Sequence, residues 1–400
     1  MSVRVAPAAE RRARALSLPS PLLGADEGAF AESVRAFACR HLRGPGARQR
    51  DERGEFWAEG WARCAELGLC GLPAPPALGG SGATRVGVAA ALEALGYGCD
   101  DAGLVFSISA HLWSAVVPLW QFGTHEQQAR YLPRLCDGSL IGVHAMTEPA
   151  SGSDAYGLRT VASAADGGYV LTGRKSFITN APVAGLVIVF ARLPGTSGAL
   201  GVTAFLVEAG TPGLAIETPV DKMGLRTSPM AEVSLDGVIV GEDAVLGRPG
   251  RGARVFTTSM EWERTLIMAG ALGAFERSLE ETVEYSRERE QFGVPIASFG
   301  SVADKIADAR IGLAAGRALL YETAARYDLG EAGPAPAAIA KIFCSEMILG
   351  RSLDLLQVHG GSGFTRSLPF ERRVRDAVAG RIYSGTSEVL RRVIGKDMGL

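Results

Sequence analysis

Over residues 29–42 and 56–67 apolar side chains recur every three or four positions, the period of a helix with one buried face. Pro- and Gly-rich loops such as 72–82 (LPAPPALGGSG) interrupt that period. A further apolar helix is predicted over 85–95, and 111–122 is apolar enough to lie largely in the core. From about residue 158 the texture changes. Short β-rich runs occupy 169–172, 186–191, 202–207, 214–218 and 231–235. Asp166-Gly167-Gly168, Pro194-Gly195 and Asp236-Gly237 punctuate them, as expected of a small antiparallel barrel or sandwich. From about 250 the helical period returns. Residues 260–289 predict one long helix with Leu266, Ile267, Leu272, Phe275, Leu279 and Val283 on its apolar face. Helices over 302–329 and 335–359 follow, joined by a loop around 330–336, and a last helix starts near Ser387. The chain therefore divides into a tail (1–25), an N-terminal helical domain (26–141), a central β domain (142–248) and a C-terminal helical bundle (249–400).

Composition narrows the function. With 41 basic and 43 acidic residues the formal net charge is −2 and no long basic run stands out, which argues against a nucleic-acid partner. No apolar run approaches the ~18 residues of a membrane-spanning helix. The six cysteines form no CxxC pair and no Cys/His spacing that suggests zinc, so they read as reduced thiols, with no metal. The Arg-rich start lacks the apolar core of a secretory signal, and the expected location is the cytoplasm. Only five of the basic residues are lysine, which with the Ala and Gly load fits a GC-rich bacterial genome.

Five segments have the residue types that chemistry needs. Ala145–Asp154 (AMTEPASGSD) clusters small residues and hydroxyls where helix gives way to strand, so that backbone N–H groups can approach a ligand. In 173–180 (GRKSFITN) an aromatic stands beside a hydroxyl at a strand end. The stretch 287–293 (REREQFG) is a charged helix C-terminus with a Gly stop. In 357–364 (QVHGGSGF) a helix ends in a Gly-rich turn, and in 381–389 (RIYSGTSEV) a turn with hydroxyls opens the last helix. Each alone has an ordinary structural reading. Glu148, beside Pro149, reads as structural, and His111, His144 and His359 have no partner that suggests a proton relay.

In this order and spacing the five segments resemble the acyl-CoA dehydrogenase family, from about residue 26 to the end. Residues 146–154 match its hydrophobic-Thr-Glu-x-x-x-Gly-Ser-Asp signature, 382–388 fall at its Tyr-Glu-Gly-Thr-Ser signature, and 221–247 are also similar. The resemblance implies N-terminal helices, a central β domain, a C-terminal four-helix bundle, bound FAD and a homo-oligomer, tetramer or dimer. It places Met146, Thr147, Gly152 and Ser153 along the flavin, and Phe177 and Thr179 at its ring. It assigns Arg289, Gln291 and Phe292, with Gln357, Val358, Gly360 and Gly361, to the FAD of a neighbouring subunit. Thr386 and Glu388 fall at the pyrophosphate end. Gly300 stands where the family often has a Gln that contacts the cofactor.

One departure bears on mechanism. The reaction removes an α-proton as a β-hydride leaves, and this needs a carboxylate base in an apolar cavity. At the family's usual base position stands Ser384. Isovaleryl-CoA and long-chain acyl-CoA dehydrogenases place their Glu instead on an earlier helix just before an arginine, and Glu263 occupies that place in 259–264 (SMEWER). Glu263 is thus the expected base, with Ser384 still offering its backbone N–H to the thioester carbonyl. Ser153, Glu261 and Arg264 match positions near the thioester. A surface carboxylate paired with Arg264 or Arg254 is the plain alternative for Glu263. Segments 223–232 and 260–264 look most similar to dehydrogenases of polyketide and non-ribosomal peptide pathways, which act on acyl or aminoacyl groups tethered to an acyl carrier protein. A degradative short- or branched-chain enzyme using CoA esters is a second reading, and a catalytically inactive thioester-binding flavoprotein a third. The electrons would pass to a flavoprotein acceptor or to oxygen.

Overall fold

The computed structural model describes residues 22–400. Most of the predicted tail therefore lies outside the described residues. The N-terminal layer contains α1 (Ala25–His41), α2 (Gly46–Arg53), α3 (Ala58–Glu66), α4 (Arg85–Gly98), α5 (Ala102–Phe122) and α6 (His125–Cys136). Side-chain oxygens of Thr84, Asp101 and Thr124 accept the free N–H groups of Gly87, Leu104 and Gln127 and so start α4, α5 and α6. By length and composition α5 could cross a membrane, contrary to the expectation that no apolar run is that long, but 89% of its most apolar stretch is buried inside the protein. It is the core helix on which the other layers pack. A π turn at Leu112–Val116 keeps five successive residues buried.

The β domain is one eight-stranded sheet of β1 (Gly142–Ala145), β2 (Val161–Ala165), β3 (Gly168–Thr179), β4 (Leu186–Arg192), β5 (Val202–Glu208), β6 (Leu214–Ile216), β7 (Met230–Gly241) and β8 (Val245–Leu246). The order is β6-β7-β3-β2-β4-β5-β8, with β1 running parallel beside β4. Neighbours are otherwise antiparallel, apart from a single parallel β2–β4 pairing. The unbroken apolar run of β4 follows from its position. Val187, Val189 and Ala191 face the core of the β domain, and Leu186, Ile188 and Phe190 face the helical core. Because side chains alternate along a strand, β4 buries both faces and joins the two cores.

The helix expected over 260–289 is two helices, α7 (Gly252–Leu266) and α8 (Ala269–Glu288), parted at Ile267–Met268. The break lets α8 lie backbone to backbone on α4, where a Cβ on Gly273 would come within 1.9 Å of the Glu93 carbonyl oxygen. A hairpin of β9 (Glu290–Gln291) and β10 (Val294–Pro295) follows. The chain ends with α9 (Gly300–Asp328), α10 (Pro334–Val358), α11 (Gly360–Phe364), α12 (Phe370–Val378) and α13 (Ser387–Asp397). Helices α8, α9 and α10 pack on one another, and α13 packs on α10, completing the bundle.

Candidate active site

After β1 the chain turns through Met146–Asp154, and Glu148 anchors that turn. Its buried carboxylate lies 2.7 Å from the buried ammonium of Lys175 on β3. It also accepts the backbone N–H groups of Arg159 (2.5 Å) and Thr160 (2.9 Å), and Lys175 Nζ donates to the Met146 carbonyl at 3.2 Å. Burial raises the Glu148 pKa, but Lys175 and these hydrogen bonds outweigh it, so the carboxyl stays below its ordinary value. Burial pulls Lys175 down to about 8 against the attraction of Glu148. Glu148 is thus a clamp, and Gly152 and Ser153 are left exposed on the open side of the turn.

Phe177 and Thr179 lie on β3 next to this turn, and the Ser176 N–H donates to the Thr147 carbonyl at 2.9 Å. The β3–β7 ladder shifts register between Lys175 and Ile178, a bulge that re-aims a side chain. Phe177 sits there at φ +59°, 62% exposed. Left-handed backbone on a non-glycine residue costs roughly 1–2 kcal/mol, and an exposed ring returns nothing for it. Both features mark a surface shaped for a ligand.

Glu263 and Ser384, far apart in sequence, are in contact. Ser384 Oγ donates to Glu263 Oε1 at 2.5 Å. Arg264 Nε donates to the Ser384 carbonyl and the buried Lys341 of α10 donates to the Gly385 carbonyl, each at 2.9 Å. Ser384 (φ +59°) and Gly385 (φ +93°) are both left-handed, so two cations pin a tight turn. Burial raises the Glu263 pKa, and the Ser384 hydroxyl, Arg264 and Lys341 only partly offset it, so the carboxyl sits above its ordinary value. The same burial lowers Lys341 to about 8, opposed first by Glu263. Burial, then the charge of Glu263, pushes Tyr383 upward. Glu263 is therefore half-buried and bonded to a hydroxyl, and its expected alternative, a surface ion pair with Arg264 or Arg254, does not form. Glu261 is also raised by burial, against Arg85 and Arg264.

Next to Ile267, Met268 and Tyr383 opens a cavity of about 90 Å³, walled mainly by Val105, Phe106, Gly270, Ala271 and Phe275. The Phe106 and Tyr383 rings meet at 4.8 Å.

The remaining predicted residues gather at the ends of α8 and α10. The β9–β10 hairpin closes through Phe292 (φ +55°) and Gly293 (φ +78°), as a two-residue primed turn requires, and leaves Phe292 94% exposed. Arg289 and Gln291 beside it are exposed, as are Gln357, Gly360 and Gly361, whereas the Val358 side chain is buried. His359 joins the two ends, with its ring 4.2 Å from that of Tyr285 on α8 and 3.8 Å from that of Phe370. Thr386 caps α13 by accepting the Val389 N–H at 3.3 Å, and Glu388 is exposed in its first turn. Sequence reasoning did not single out Lys341 or Tyr383 for the site. The available signal for Lys341 was its place in an apolar run (AAIAKIFC) in a chain with five lysines.

Three family models cover nearly the whole chain: acyl-CoA dehydrogenase N-terminal domain over residues 24–139, middle domain over 144–238 and C-terminal domain over 250–399. The chain belongs to the acyl-CoA dehydrogenase family. The L-prolyl-[peptidyl-carrier protein] dehydrogenase of Pseudomonas fluorescens is 40% identical over 346 residues, 86% of this chain and 91% of that one. Among solved structures, the prolyl acyl carrier protein oxidase AnaB matches with a TM-score of 0.92 and 39% identity over 94% of this chain and 100% of its own. PigA with FAD and proline matches with a TM-score of 0.92 and 35% identity over 94% of this chain and 98% of its own. This member of the family is an FAD-dependent oxidoreductase, and its structure fits that cofactor. Phe177 and Phe292 are exposed and left-handed, and a Cβ on Gly152, Gly360 or Gly361 would meet nothing within 4 Å, so backbone is open to a flat ligand and its phosphates.

Proposed function

We propose that Glu263 is the base of this enzyme in the α,β-oxidation of an acyl or aminoacyl thioester carried by an acyl carrier protein. The observation that supports it is the Ser384–Glu263 hydrogen bond: the residue at the family's usual base position hands its hydroxyl to a carboxylate whose pKa is raised. The α-proton passes to Glu263 as the β-hydrogen leaves with its electron pair and the double bond forms. FAD, when bound, accepts that hydride. Arg264 and Lys341 fix the turn so that the Ser384 N–H faces the thioester oxygen, and the negative charge that develops there is stabilised. Phe177 and Thr179, with Met146, Thr147 and Ser153, support the flavin, and Glu261 and Arg264 flank the thioester arm. The similarity to proteins named as prolyl carrier-protein dehydrogenases and oxidases argues against an inactive thioester-binding protein.

Support for a carrier-bound substrate is the similarity to proteins named for prolyl groups on carrier proteins. We place the enzyme in the cytoplasm, in a polyketide or non-ribosomal peptide pathway, with a second flavoprotein or oxygen taking the electrons. The test compares one acyl group on its carrier, on CoA and on bare pantetheine. The carrier-bound thioester should have the highest kcat/KM, and a CoA ester turned over as well or better contradicts this reading.

The carboxylate form of Glu263 is the active one, so flavin reduction should rise with pH through its raised pKa. Ser384→Ala removes a hydrogen bond that favours the carboxylate, and the acid limb of the pH–rate profile should move to higher pH. A limb that stays in place would show that another group titrates.

We also propose a homo-oligomer in which Arg289, Gln291, Phe292, Gln357, Gly360 and Gly361 complete the FAD site of a neighbouring subunit. An Arg289→Ala/Gln357→Ala variant should then lose FAD and shift toward smaller species together, because whatever binds only the assembled state stabilises it. Sedimentation with flavin quantitation checks this, and a monomer that keeps its full FAD content contradicts it.

A further inference from the structure

Between Ala244 and Met260 the chain holds no acidic residue but three arginines, Arg248, Arg251 and Arg254. All three are exposed. None has an acidic partner among the described residues, and the Arg254 guanidinium stands over the Phe122 ring at 5.9 Å. The backbone that presents them is fixed. The Gly250 N–H donates to Thr203 Oγ1 at 2.8 Å, the Arg251 N–H to the Arg248 carbonyl at 3.0 Å and the Arg254 N–H to the Arg251 carbonyl at 3.0 Å. Leu200 adjoins this loop: a Cβ on Gly250 would lie 2.9 Å from its carbonyl oxygen, and its own side chain is 72% exposed. The result is a basic loop with its backbone hydrogen-bonded, beside an exposed aliphatic residue.

Helix α7 joins this surface to the reacting centre. Arg254, Thr257, Glu261 and Arg264 stand at i, i+3, i+7 and i+10, so they share one face of the helix. Tyr156 lies along the same face, with its hydroxyl 3.1 Å from Thr257 Oγ1. From Arg254 to Arg264 the axis rises about 15 Å, at ~1.5 Å per residue. An extended phosphopantetheine arm must cover such a path if its thioester is held at Ser384.

Resting on the carrier-dependent reading above, we infer that Arg248, Arg251, Arg254 and Leu200 dock the acidic helix of the carrier protein, whose arm follows the α7 face from Thr257 to Arg264. A lone phosphate is held by donors that converge on one point. Three arginines spread over seven residues of sequence, on a loop that adjoins an exposed apolar residue, instead complement an amphipathic acidic helix.

The test uses full-length holoenzyme with Arg248→Glu, Arg251→Glu and Arg254→Glu combined, assayed with one acyl group on carrier protein, on CoA and on pantetheine. For the carrier substrate kcat/KM should fall by about 30-fold or more, chiefly through KM, and its salt dependence should flatten. The pantetheine thioester should react within about twofold of wild type, as expected when only surface charges change. Unchanged carrier kinetics overturn the surface, and an equal loss on the CoA ester assigns the arginines to nucleotide phosphates instead. If pantetheine turnover collapses as well, Leu200→Ser with Arg251→Ala decides by the same ratio of carrier to pantetheine turnover. A wild-type enzyme that prefers CoA defeats the carrier reading itself, whereas a carrier preference that survives the triple reversal defeats only this surface.

Discussion

Glu263→Gln should lower the rate of flavin reduction by at least about a hundredfold while the thioester still binds. Glutamine keeps the shape of the side chain and can still accept the Ser384 hydroxyl hydrogen bond, so the turn at 382–386 has no reason to move. The lost element is a carboxylate that accepts the α-proton. The effect should appear in the single-turnover rate, with little change in the thioester concentration that half-saturates it, because the interaction removed exists only in the transition state. Reduction at the wild-type rate would remove Glu263 from the mechanism and return Glu261 or an unrecognised group to consideration.

The second large effect is on stability. Lys175→Met leaves the Glu148 carboxylate buried without its cation, and breaking such a pair from one side costs about 3–5 kcal/mol. Glu148 keeps the Arg159 and Thr160 N–H groups, so part of the clamp survives. The Met146 carbonyl loses its donor, however, and with it goes the geometry of the turn proposed to line the flavin. Chemical unfolding should show the loss, and the purified variant should hold less FAD than wild type. Adding Glu148→Gln should restore part of the stability, because the unpaired charge disappears. A Lys175→Met variant within about 0.5 kcal/mol of wild type and fully flavinylated would mean that the pair anchors nothing, since the expected penalty is several times larger.

The sequence was most legible where an element has one wet face. Helices α1 and α3 show their apolar stripe and were found within a few residues. Helix α5 is buried on every side and so has no stripe, and its length as a single apolar element was underestimated. The short strand β1 carries too few residues to establish a period and was not predicted, and α12, no shorter than α3, was missed although its residues do segregate to two faces. The break at Ile267–Met268 accompanies the close approach of α8 to α4, a tertiary contact that no local pattern records. In the site, Glu263 could be read because a serine stands where a base belongs and a glutamate stands where some relatives keep theirs. The function of Lys341 could not be read, because its partners are the carbonyl of Gly385 and the charge of Glu263, both distant in sequence. The buried pairing of Glu148 with Lys175 was likewise invisible, although the structural reading of Glu148 agrees with it.

The central claim is that this chain oxidises a thioester between its α and β carbons, with Glu263 taking the proton. The most direct measurement is anaerobic titration of the wild-type holoenzyme and the Glu263→Gln variant with a carrier-bound acyl or prolyl thioester, following flavin absorbance and then the mass of the acyl group. The account predicts that one equivalent of thioester bleaches the wild-type flavin, that the acyl group loses two hydrogens, and that the variant stays yellow over the same interval. Bleaching of both proteins alike, or an acyl group of unchanged mass beside a reduced flavin, would contradict it.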